Sequence, residues 1–168
     1  MNQHPGAPSG GDLLALYLND HLTGASVGVH LFRRAAQLHH DRAARETLIG
    51  LSREVNADRD TLIALMKRLD VSPQRHRMAL GWAAEKAGRL KPNGTLIKRS
   101  PLSDVVELET LRLGVEGKAC VWKLLALLAD SDPRISADEL DELEQRARHQ
   151  IDALEELRMQ TARSVFER

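Results

Sequence analysis

Between residues 42 and 69 the apolar positions Leu51, Val55, Leu62, Leu65 and Leu69 recur at helical steps, which predicts a helix with one buried face. An aspartate, Asp58, holds the centre of that face, and Glu54 lies one turn earlier on its edge. Asp41 stands where an N-cap is needed, because a short carboxylate accepts from the unpaired N–H groups of a first turn. A helix over 12–38 is expected before it. Its apolar face carries Leu14, Tyr17, Leu18, Ala25, Phe32 and Ala35, with His21 near the middle, and Asp12, Asn19, Thr23, Ser26, His30, Arg33 and Gln37 are expected to face solvent. Gly24 and Gly28 are costly inside a helix and imply close approach of another backbone or of a bulky side chain.

A third helix is expected over 101–128. Ser100 can cap it, Pro101 suits its first position, and no later proline interrupts it. Leu102, Val106, Leu113, Cys120, Leu124 and Leu127 trace an apolar face, on which Glu109, Arg112, Glu116 and Lys123 place charges. A second apolar stripe, Val115, Ala119, Trp122 and Ala126, runs along the same helix; if that stripe is the buried one, the four charges form a solvated row. Ser136 and Glu139 then fit a capping box at the start of a fourth helix, 136–165, which buries Leu140, Leu143, Ala147, Ile151, Leu154 and Val165 and turns His149 outward. No alternating β pattern occurs, so the fold class is all-α, a four-helix bundle.

Residues 1–10, rich in Pro, Gly and Ser, read as a disordered tail ahead of one domain, 11–168. Residues 70–100 hold Pro73, Gly81, Gly88, Pro92 and Gly94, and make a long crossover between helices 2 and 3 with a short extra helix carrying Trp82. That stretch is basic (Arg75, Arg77, Lys86, Arg89, Lys91, Lys98 and Arg99 against Glu85), whereas Asp130 to Glu156 carries ten acids against three arginines. Association of copies through the basic crossover and the acidic fourth helix is the expectation that follows.

The totals narrow the function classes. Lys+Arg and Asp+Glu are 24 each, and aromatic residues make up 3% of the chain, so neither nucleic acid nor a membrane surface is an expected partner. The start of the chain has no basic-then-apolar leader and no apolar run reaches membrane-spanning length, which makes the cytoplasm the expected compartment. The single cysteine, Cys120, is expected as a small buried hydrophobe. There is no Gly-rich phosphate loop and no Cys-x-x-Cys. His39 and His40, adjacent in a turn, are a minor candidate for surface metal binding.

Short turns after helices 1 and 3 and a long link between 2 and 3 resemble the ferritin-like superfamily, over nearly the whole chain but at the level of architecture. The resemblance implies a core site in which carboxylates and histidine hold two metal ions, with a Glu on two helices and Glu-x-x-His on the other two. This chain departs from that pattern: helix 2 offers Glu54-x-x-x-Asp58 and helix 4 has no inward carboxylate. Register still gathers the polar core residues. Counted from residue 40, His21 lies 19 residues before and Asp58 18 after, and the same counting brings Glu116 and Gln150 level with them. The expected layer is His21, Glu54, Asp58, Glu116 and Gln150, with Arg112 and a Glu109–Arg158 pair stacked beside it. Two readings stay open. In one, Arg112, Arg158 and a protonated His21 neutralise the carboxylates in a buried ion network, and the protein is a non-enzymatic bundle acting through partner binding or self-association, with no cofactor. In the other, His21, Glu54, Asp58 and Glu116 ligate iron, manganese or zinc for redox or oxygen chemistry.

Overall fold

The computed structural model describes residues 8–74 and 100–167, and these form four long helices and no strand. The expected short helix near Trp82 and the basic residues from Arg75 to Arg99 lie outside the described residues.

Helix α1 spans Gly10–Leu38. It starts inside the stretch expected as tail because Ser9 and Asp12 close a capping box: Asp12 N–H donates to Ser9 Oγ (3.2 Å) and Ser9 N–H donates to Asp12 Oδ2 (3.0 Å). Helix α2, Arg42–Arg68, is capped by Asp41, whose Oδ1 accepts from Ala44 N–H at 3.0 Å. It ends in a Schellman turn. Asp70 takes a left-handed φ of 58°, Val71 N–H donates to Met66 C=O (2.8 Å) and Asp70 N–H to Lys67 C=O (3.2 Å), which satisfies carbonyls the helix would leave open. Helix α3, Pro101–Ala126, has Ser100 as N-cap and proline in its first turn, and helix α4, Ala137–Phe166, has Ser136 accepting from Glu139 N–H at 3.3 Å.

Helix α1 packs against α2 and α3, while α4 packs against α3 and, more narrowly, α2. The core they enclose is aliphatic, built on Leu18 and Phe32 of α1, Leu48 and Leu65 of α2, Leu108 and Leu125 of α3, and Leu140 and Leu154 of α4, with Trp122 the largest side chain in it. Two contacts orient the chain. Arg134, between α3 and α4, pairs with Asp70 just past α2 (3.0 Å), so those two connections share one end. Asp104, in the first turn of α3, accepts from His40 between α1 and α2 (3.0 Å), so those share the other.

On α2 and α4 the buried positions follow the expected faces: Leu51, Val55, Asp58, Leu62 and Leu65 on one, Leu140, Leu143, Ala147, Ile151 and Leu154 on the other. On α3 the expected face is reversed. Leu102, Val106, Leu113, Cys120 and Leu127 are exposed, and the buried stripe is Leu108, Leu111, Val115, Ala119, Trp122 and Leu125. The cause is a helix apolar on two opposite sides, where the stripe with aromatic bulk and unbroken spacing enters the core. On α1, Asn19 is buried despite its expected place on the solvent face. Its amide donates to Ala15 C=O (2.8 Å) and Ser72 C=O (3.3 Å), and its Oδ1 accepts from Gln74 N–H (2.6 Å), tying the chain after α2 to α1. Gly24 and Gly28 face open space, with no atom within 4 Å of where a Cβ would stand, so close packing does not account for them.

Candidate functional site

The helix register brings Asp58 and Glu54 of α2 towards Gln150 of α4, as counting along the chain implies. Asp58 is 1% exposed, and its Oδ2 accepts from Gln150 Nε2 at 3.2 Å; the same amide donates to Glu54 Oε2 at 2.9 Å. The cation that meets them is one the sequence reading did not single out, Lys118 of α3. Its Nζ lies 2.5 Å from Asp58 Oδ2 and also donates to Gln150 Oε1. Gln150 thus uses both ends of its amide, accepting from the ammonium and donating to two carboxylates. Arg146 of α4 comes within 3.4 Å of Asp58 Oδ1, an ion-pair distance without hydrogen-bond geometry, and that oxygen has no hydrogen-bond partner.

The chemistry of this layer follows from burial. The Lys118 side chain is 14% exposed, and desolvation is the main influence that pulls its pKa below the ordinary lysine value. The charge and hydrogen bond of Asp58 act in the opposite direction, while Arg146 adds to the lowering. An ammonium held between a carboxylate and an amide oxygen is well placed to neutralise charge. It is poorly placed to act as a nucleophile, since both neighbours stabilise the protonated form.

The other residues of the expected layer fall elsewhere. His21 is half-buried against the Tyr17 ring, with ring centroids 4.4 Å apart, and desolvation lowers its pKa. Glu116 pairs with Arg112 (3.5 Å) on the surface, and Arg112 also reaches Glu155 of α4 (3.4 Å). The Glu109–Arg158 pair forms at 3.5 Å, with Glu109 half exposed. Arg112 therefore points along a surface groove formed by Glu109, Leu113, Glu155 and Arg158 and does not enter the core. Both follow from the reversed face of α3: turning Leu111 and Leu125 inward carries Lys118, a heptad from each, into the core and carries Glu109, Arg112 and Glu116 out. Among the described residues, no three His, Cys, Asp or Glu side chains lie close enough together to share a metal ion.

A second polar cluster occupies the end of the bundle where α1, α2, α3 and α4 meet. His39 is buried, at 2% exposure, and so is not a solvated turn histidine. Asp41 N–H donates to its Nδ1 (3.1 Å), which leaves Nε2 to carry the ring proton towards Thr161 Oγ1 (3.4 Å); Thr161 donates in turn to Leu157 C=O (2.8 Å). The buried carboxylate of Asp104 accepts from the backbone N–H and the Nδ1 of His40, at 3.0 and 2.6 Å. This is a fastening between helix ends. It explains why His39 in the turn and Asp104 in the first turn of α3 are polar yet buried.

No described helix is long and apolar enough to cross a membrane. Compared with protein-family models, with curated proteins and with solved structures, the chain finds no match.

Proposed function

We propose that the chain is a ferritin-like scaffold whose internal cation is a lysine, and that it acts by association with a partner or with itself and not by metal chemistry. The observation that carries the reading is the position of Lys118 Nζ, 2.5 Å from Asp58 Oδ2 and hydrogen-bonded to Gln150. In di-metal bundles the core carboxylates are balanced by metal ions; here an ammonium supplied by the chain balances Asp58. Removing a buried cation would strand that carboxylate, so lysine and aspartate act as a unit. The ferritin-like part of the reading is supported by the placement of helix ends. Asp70 meets Arg134 at one end and Asp104 meets His40 at the other, so the link between α2 and α3 joins opposite ends of the bundle, as a crossover does.

The test is metal content of untagged protein purified after growth with iron, manganese and zinc, measured by mass spectrometry beside the Asp58→Ala variant. The expected result is no stoichiometric metal in either. A stoichiometric ion in the wild type that disappears in the variant would overturn the proposal and restore the metalloprotein reading.

A further inference from the structure

We propose that a second copy of this chain covers the outer face of α3, with the two α3 helices antiparallel about a two-fold axis near Val115. The inference deepens the association reading above and rests on it. The outermost heptad row of α3 holds no charge and is flanked by a half-buried uncharged row on one side and by the exposed row Leu102, Glu109, Glu116 and Lys123 on the other. The outermost row is Val106, Leu113, Cys120 and Leu127, and the half-buried one is Ser103, Thr110, Gly117 and Leu124. Leu113 is 67% exposed and Leu127 81%. A helix apolar on opposite sides calls for cover on both, and α1 and α4 cover only the inner one. The chain that follows α2 is held to α1, where Asn19 bonds Ser72 and Gln74.

Why a copy, and why antiparallel? In such a pair residues equally far before and after Val115 face each other. Leu113 then meets Gly117 of the second copy and Val106 meets Leu124, large against small or medium at each step. Nothing within 4 Å stands where a Gly117 Cβ would be, so the notch is open to receive the leucine. Along the flank nearer α4, Glu109 comes near Lys123 of the second copy, and two-fold symmetry makes that contact twice, with the Glu116 of each copy, which its own Arg112 pairs, between them at the axis. Glu109 and Lys123 are each about half exposed beyond their ion pairs with Arg158 and Glu144, which leaves room for a second partner. A parallel pair would instead set Glu109 against Glu109 and Leu113 against Leu113.

Full-length protein examined by light scattering is expected to show twice the chain mass from low micromolar concentration upward, and Leu113→Lys is expected to halve it. Because Leu113 is exposed, the variant's helical circular dichroism should match wild type; loss of mass with loss of helix would be decided by the second variant. Thr110→Cys places a thiol opposite native Cys120 of the other copy, so mild oxidation should give a covalent dimer. Wild type should give none, since two Cys120 residues would lie about 15 Å apart along the axis. Monomeric wild type with no cross-link in Thr110→Cys would overturn the proposal, and is what cover by residues 75–99 or by an unrelated partner would produce. A wild-type Cys120 disulfide dimer would overturn the antiparallel register. Stoichiometric metal in a cross-linking dimer would instead overturn the scaffold reading and leave this interface standing.

Discussion

Helices α2 and α3 are nearly equal in length and differ in how their apolar residues are arranged, and the difference explains most of the molecule. On α2 the apolar residues fall chiefly on one face, and its outward rows hold charges such as Glu46, Arg53, Asp60 and Lys67. On α3 apolar residues fall on two faces, and a lysine stands among those that enter the core. A helix of the first kind can place itself in a monomer. A helix of the second kind sets a lysine among core residues and leaves leucines at the surface, so α3 carries both the polar layer and the uncovered apolar row.

Substitutions on α3 can sharpen or break that contrast. The largest effect is expected from Lys118→Ala, which leaves Asp58 buried without its ammonium; chemical denaturation should show a loss of about 3–5 kcal/mol. Leu111→Ala, on the inner face, should cost about 2–5 kcal/mol by opening a cavity among closely packed side chains. If Leu111→Ala were nearly neutral, the inner face would be wrongly placed. Asp104→Ala removes the acceptor of two His40 hydrogen bonds and should cost about 2 kcal/mol, read from the same denaturation curves. Arg112→Leu, on the surface groove, should stay within about 0.5 kcal/mol of wild type; a loss of several would return Arg112 to the buried network.

A pH effect can be assigned in sign. Burial holds the His21 pKa below its ordinary 6.5, so the unfolded chain takes up that proton first as the pH falls. Stability contributed by a neutral His21 is therefore present above pH 6.5 and lost as pH drops through the folded-state pKa. Thermal unfolding of His21→Phe beside wild type, on either side of that value, should show a shallower acid slope in the variant. Equal slopes would mean that His21 is not desolvated.

How much of this could be read from the residues alone follows the same division. The face of α2, with Asp58 at its centre and Gln150 opposite, was legible because a single apolar stripe leaves one choice of phase. The phase of α3 was not, because Leu113 and Val115 are equally apolar and only packing against α1 and α4 chooses between their stripes. The signal for Lys118 was present: it stands a heptad from Leu111 and from Leu125, and would have emerged had the stripe through Val115 and Trp122 been taken inward. Asn19, His39 and Asp104 carry no comparable signal. Polar residues are buried when a partner is near: Asn19 reaches Ser72 across 53 positions, Asp104 reaches His40 across 64, and His39 reaches Thr161 across 122.

The central claim is that Asp58 and Lys118 neutralise each other inside the bundle, and a double-mutant cycle with Asp58→Leu and Lys118→Met tests it most directly. Each single variant leaves one charge of the layer without its nearest counter-ion and should lose several kcal/mol in equilibrium denaturation, whereas the double variant, apolar and similar in volume, should recover most of that loss. Losses that simply add in the double variant would contradict the pairing, and with it the assignment of Lys118 as the cation of the layer.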